Sequence, residues 1–306
     1  MPQAWVVGSF AYENWWSAHM PHAAPSEPSR RPHINRAIVA YMVMVHGLAA
    51  SAFWLPWPPY ALPVALTLYV TIGLGTTVGL HRLLSHRAFR CPRWVEYGLV
   101  SVAMLTGQGS PLLWAATHRL HHVHTDSPQD IHSPLRGFWY SHMGWILDDD
   151  STDPEAWRTY CRDLAHDRYY HWLLRYRMVP QVVAVVLFGV TLGWSAVPAC
   201  FFLPVVCWMQ STYCVNSVCH VKAFGFRRHD TQDHSRNVWW VAVLALGEGW
   251  HNNHHAFPGS ARHGQGMWQV DPGWAFIRLL SWLGLAWDVR LPGQRAPEPP
   301  QHLPAA

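Results

Sequence analysis

Four stretches of the chain are dominated by apolar side chains over roughly the 20 positions a helix needs to cross a bilayer core. They are residues 37–57, 59–80, 179–199 and 200–221. PWPPY joins the first two and GWSAVPAC the second two. Both connections are short and rich in turn-forming residues, so each pair is expected to fold as a helical hairpin. Two further apolar stretches suit a crossing less well. Residues 94–117 include Glu96, Gln108 and Pro111, and residues 237–250 are too few. Both are expected as helices at the membrane interface or inside a polar cap, with a re-entrant span as the alternative for the first.

Charge orients this pattern. No lysine or arginine falls within 37–80 or 179–221. The basic residues gather in an N-terminal segment (1–35), in 81–178 and in 222–292, which places all three on the cytoplasmic side. The expectation is an all-α membrane protein: four transmembrane helices in two hairpins, with a cytosolic helical cap. The integral membrane domain would cover 36–292, followed by a disordered proline-rich tail, 293–306. N-terminus, C-terminus and cap would all be cytoplasmic.

Composition agrees. Half of the 306 residues are hydrophobic and 13% are charged, about half the usual charged share of a soluble domain. The 20 tryptophans suit a lipid–water interface. The net charge of +4 comes almost wholly from arginine, Lys222 being the one lysine. That fits a membrane surface and gives no reason to expect nucleic acid. The six cysteines form no CxxC pair and read as reduced, mostly buried thiols. The first 35 residues lack the apolar core of a cleavable signal peptide.

The chemistry sits in the 22 histidines. Nine fall in four groups: HRLLSH (His81, His86), HRLHH (His118, His121, His122), NSVCH (Asn216, His220) and HNNHH (His251, His254, His255). Spacings of i, i+3 and i+4 place each HxxHH set, and the pair Asn216 and His220, on one helical face. His81 and His86 would lie about 140° apart on a continuous α-helix, so a helix end or a second metal ion is needed to unite them. Nine imidazoles exceed what one tetrahedral zinc can use, and imidazole suits zinc, copper, iron or nickel. A two-metal site is the economical reading. His19, His46, His171 and His263 read as isolated polar residues. HExxH is absent, and with six glutamates the chain cannot build a carboxylate-rich di-iron bundle.

These motifs, with RGFWYSHMGW and GEGWHNNHHAFPGSARHG, resemble the membrane-bound fatty-acyl desaturases, in particular the branch acting at or near the ninth carbon. The resemblance runs from the first apolar stretch to Pro292. It implies two iron ions (Fe2+) held by His81, His86, His118, His121, His122, His220, His251, His254 and His255, with Asn216 acting through a bound water. It implies an O2-dependent reaction that leaves a cis double bond in an acyl chain carried on CoA, lipid or carrier protein. Gln108 and Trp114 resemble residues that line the acyl tunnel. Asp126, Asp130 and Glu248 lie near the histidine groups and are expected to orient imidazoles, with Thr125 beside Asp126. His124 points away from the ligand face.

Two features depart from the animal acyl-CoA enzymes. Ala116-Thr117 replaces an Arg-Asp pair, and Asp148, Asp149 and Asp150 stand where basic residues are found. Three carboxylates there would repel the phosphates of CoA. Ile131 also replaces a proline. The chain carries no heme, flavin or nicotinamide fingerprint, so electrons are expected from a separate ferredoxin, rubredoxin or cytochrome b5-like donor, with membrane lipids as the surroundings. A hydroxylase or acetylenase would share the motifs. A histidine-rich metal transporter would place its ligands within the spans rather than at their ends.

Overall fold

Several helices begin where the sequence supplies a cap. Asn35 accepts from the backbone of Ile38 and starts α1 (Arg36–Ser51). Ser110, followed by Pro111, starts α4 (Pro111–His124) in the same way. The computed structural model describes residues 33–149, 153 and 155–294. Most of the N-terminal segment, Asp150 and the tail from residue 295 lie outside the described residues. Between α1 and α4 come α2 (Ala61–Leu74), a π-helical continuation (Gly75–Ser85) and α3 (Arg93–Ala103). After α4 follow α5 (Phe138–His142), α6 (Ala156–Tyr160), α7 (Arg168–Arg175), α8 (Val179–Leu192), α9 (Leu203–Ser217), α10 (Trp239–Leu244), α11 (His251–Ala256) and α12 (Pro272–Trp282). Among the described residues no strand forms, only isolated bridges such as Ile34 with Asp148.

Among the described residues two helices are long and apolar enough to cross a membrane: Ala61–Ser85, with 25 residues, and Trp194–His220, with 27. Two bent pairs raise the number to as many as four. One is Arg93–Thr106 with Pro111–His124, bent by 84°, and the other is Arg168–Arg175 with Val179–Leu192, bent by 71°. The first bend falls where Gly107 (φ 66°) and Gly109 (φ 97°) take left-handed backbone conformations. A side chain at Gly107 would also collide with the Tyr41 hydroxyl.

The helices do not coincide with the apolar stretches. The apolar stretch 37–57 yields a helix of 16 residues, about 24 Å at 1.5 Å per residue, short of the roughly 30 Å hydrocarbon core. The break between the third and fourth stretches is at Gly193, not at 199–200. Gly193 has φ 89° and ends α8. Trp194 then folds back onto Gly189, where any Cβ would meet its ring at 2.5 Å. GWSAVPAC is therefore mostly the start of the next helix. Pro198 is tolerated because it opens a π-helical turn (Pro198–Phe202), where its missing N–H costs little.

The long helices pack against one another around Ile72, Val205, Trp208 and Met209, all essentially buried. Gly75 and Gly79 let the π-helical segment approach α3 closely. A Cβ at Gly75 would lie 2.8 Å from backbone atoms of Leu99 and Ala103. This contact delivers the end of the helix, with its histidines, to the base of the polar region.

Candidate metal centre

The nine motif histidines come together and divide into two groups. His81, His86, His118, His122 and His254 place one ring nitrogen each within 4.8 Å of one another, and so do His121, His220, His251 and His255. Each HxxHH helix serves both groups. On α4 the i, i+4 pair His118 and His122 joins the first and His121 the second; on α11 the pair His251 and His255 joins the second and His254 the first. The single face read from spacing is split between two foci.

His81 and His86 reach one focus through a change of winding. The backbone N–H of His86 donates to the carbonyl of His81 at 3.2 Å, an i to i+5 bond. That is the π-helical pattern. The wider turn carries the fifth residue back over the first, and the rings come to 4.9 Å between centroids. His220 is delivered differently. α9 ends at Ser217, and Val218–His220 is a tighter 3-10 turn. Asn216 is half-buried on the last turn of α9, so the continuous-helix spacing expected between it and His220 is interrupted.

Carboxylates hold the outer side of four rings. Nδ1 of His81 lies 2.6 Å from Glu248, that of His121 3.0 Å from Asp130, that of His220 3.0 Å from Asp126, and that of His255 2.8 Å from Asp233. A carboxylate only accepts, so each of these Nδ1 atoms carries the hydrogen, and in the neutral form of each ring the lone pair of Nε2 points inward. Asp126 also accepts from the backbone of His234, and Thr125 donates to the carbonyl of His121. His124 belongs to neither group.

Inside each group the Nε2 atoms face one another. In the first, His86 and His118 are 2.7 Å apart, His118 and His122 3.0 Å, His122 and His254 2.9 Å, and His81 and His254 3.2 Å. In the second, His251 lies 3.0 Å from both His220 and His255. One hydrogen on His251 cannot serve two lone pairs. The Nε2 of His121 is buried with no hydrogen-bond partner among the described residues. A shared cation removes both difficulties. Two imidazole nitrogens about 2.1 Å from one ion and at right angles lie about 3 Å apart, the spacing seen here. The residues fit metal ions.

Electrostatics favours the ligating form of most of these rings; at His220 burial acts downward, but the adjoining Asp126 outweighs it and raises the ring above the ordinary value. Burial, with neighbouring imidazoles adding to it, holds His251 and His254 well below the ordinary histidine value, so both are neutral. Burial lowers His255 as well, although Asp233 opposes it. For Asp130 and Asp233 burial acts upward, but the adjoining His121 and His255 outweigh it and keep both carboxyls below the usual range.

Several contributors escaped the sequence reading. Asp233 lies in an irregular loop 22 residues before His255, where no helical spacing could flag it. His132 packs on His121 with ring centroids 4.2 Å apart and is pushed down to about 3 by burial and by His121. His263 was read as an isolated polar residue. It is fully buried, 3.0 Å from the Arg82 guanidinium and 3.5 Å from Glu248. Arg82, also fully buried, pairs with Glu248 at 2.9 Å and Asp271 at 3.0 Å.

Trp114 stacks on His118 with centroids 5.4 Å apart, and Gln108 donates to Thr212 on α9 at 3.2 Å. Two of the three carboxylates expected to repel CoA phosphates, Asp148 and Asp149, are among the described residues. Asp148 is buried and neutralised by Arg136 at 3.2 Å, while Asp150 lies outside the described residues. Of the three, Asp149 is the described carboxylate left outside that ion pair, and it accepts from Asn35.

A family model described as fatty acid desaturase matches residues 55–269. The sn-1 stearoyl-lipid 9-desaturase of Anabaena variabilis is 43% identical over 268 residues, 86% of this chain and 96% of that protein. The delta-9 acyl-lipid desaturase 1 of Arabidopsis thaliana is 43% identical over 257 residues, 82% of each chain. An acyl-CoA 5-desaturase of Anemone leveillei is 39% identical, covering 85% of this chain and 82% of its own.

Proposed function

The chain belongs to the fatty acid desaturase family, and from that premise we propose that it holds two iron ions and desaturates near carbon 9 of an acyl chain esterified in a membrane lipid. That it is a fatty-acyl desaturase, an oxidoreductase, follows from the family and its similar relatives. The observation carrying the metal assignment is the division of nine imidazoles into two sets of facing Nε2 atoms. The first ion would be held by His81, His86, His118, His122 and His254, the second by His121, His220, His251 and His255, with Asn216 reaching it through water. Iron bound there would supply the oxidising power that an unactivated methylene demands.

The chain's own residues do the rest. Glu248, Asp130, Asp126 and Asp233 fix the tautomer and direction of four rings. Trp114 and Gln108 would line the path of the acyl chain and exclude water from it. Two electrons would arrive from a separate donor protein and two protons from solvent, and with the two hydrogens that leave adjacent carbons they reduce O2 to two waters. The lipid carrier is supported by relatives named acyl-lipid 9-desaturases. The acyl-CoA relative and the neutralised Asp148 keep CoA as the outcome that would correct it. The protein would be integral to the membrane, with its termini and metal centre cytoplasmic, as the distribution of arginine supports.

Expression in a host of defined lipid composition, with mass spectrometry of double-bond position in each lipid class, tests the reading. New 9-unsaturation in esterified chains, abolished by His254→Ala, is expected. Unchanged chains, or activity equal in His254→Ala, would overturn it.

A further inference from the structure

RGFWYSHMGW has no part in either histidine group, yet its histidine is built into the support of one of them. His142, at the end of α5, is 7% exposed. Its Nδ1 lies 2.9 Å from the Ser217 hydroxyl, and its Nε2 lies 2.9 Å from Oε1 of Gln210. Gln210 and Ser217 are seven residues apart on α9, two helical turns on one face. The ring is held between them by stacking on Phe138, with an interplanar angle of 9°.

The hydrogen-bond directions are fixed from the far end. The carbonyl of Met42 on α1 only accepts, so Nδ1 of His46, 2.7 Å away, donates. Nε2 of His46 then accepts from the Gln210 amide at 3.1 Å. That turns Oε1 of Gln210 to His142, whose Nε2 must donate. In a neutral ring Nδ1 is left as an acceptor, and it shares the single Ser217 hydrogen with the Tyr213 carbonyl, to which the hydroxyl donates at 2.9 Å. A directed chain thus runs from α1 through His46, Gln210 and His142 to Ser217.

Ser217 is fully buried and is the last residue of α9, where winding changes to the 3-10 turn that carries His220. Asn216 precedes it. The position of Ser217 therefore sets where His220 points, and His220 must meet His251 at 3.0 Å and Asp126 at 3.0 Å. We propose that His142 is a positioning residue for the second metal ion, acting through Ser217 to fix the helix end that aims His220. The inference rests on the two-metal reading above.

The test uses the full chain purified in detergent and loaded anaerobically with ferrous iron. It reads iron per chain and the rate of iron release to a chelator. The wild type is expected to hold two ions. His142→Ala is expected to release one of them about 10–100-fold faster, the loss typical when a ligand's support is removed, with the other unchanged. His142→Gln can donate to Gln210 and accept from Ser217, and should restore slow release. Ser217→Ala should match His142→Ala, and the double variant should add nothing further. Unchanged release from both sites, or equal acceleration at both, would overturn the inference while leaving the two-metal reading intact. A wild type that binds no iron would overturn both. If His142→Ala does not fold, Ser217→Ala decides: slow release from both of its sites would overturn the inference.

Discussion

Glu248 divides its oxygens between the Nδ1 of His81 and the guanidinium of Arg82. It therefore orients a ring and neutralises a fully buried cation at once. Glu248→Gln keeps the shape and loses the charge. Iron affinity should fall about 10–100-fold, read by chelator competition. Arg82→Leu leaves Glu248 and Asp271 buried without their cation. A loss of about 3–5 kcal/mol is expected for such a broken pair, seen as a lower thermal midpoint in detergent. The buried histidines set the pH response. His251 and His254 have folded-state values below the ordinary 6.5, so below about pH 6.5 the unfolded chain binds more protons than the folded one. Stability and iron retention should both decline as pH falls from 6.5, as measured by unfolding midpoint and iron content after dialysis.

At the scale of elements, winding decides more than length. The π-helical segment unites His81 with His86, and the 3-10 turn after Ser217 aims His220. The residue types in HRLLSH and NSVCH mark these as candidate metal-binding sequences, but neither states how its helix winds. Winding is chosen by what packs alongside. Gly75 and Gly79 admit α3 to backbone contact distance. Gly75→Val would force Cβ and its methyls into Leu99 and Ala103. A cost of about 1–3 kcal/mol for such overpacking should lower the unfolding midpoint, together with iron occupancy of the group containing His81 and His86. Gly193 shows the same dependence on neighbours, since the third apolar stretch ends where Trp194 folds onto Gly189, not where the apolar run is interrupted.

For the whole molecule, the arginine distribution and the paired apolar stretches make one strong prediction about sidedness. Single cysteines placed in residues 222–235 and near residue 294, in a cysteine-free background, should react with an impermeant thiol reagent only from the cytoplasmic face. Cysteines in the PWPPY connection should react only from the other. Labelling of both sets from one face would refute the arrangement.

The family and the candidate ligand types were legible in the sequence because they rest on residue identity at short spacing. HxxHH is an i, i+3, i+4 pattern whatever surrounds it, and an apolar run of some 20 residues seeks lipid by composition alone. Which imidazole joins which group was not legible, since it depends on how α4 and α11 face each other across segments more than 100 residues apart. Nor were Asp233, His263 or Arg82, whose roles arise from burial beside rings distant in the chain. Local spacing fixes what a segment can offer; only tertiary packing, by choosing helix winding and excluding water, decides where each lone pair points.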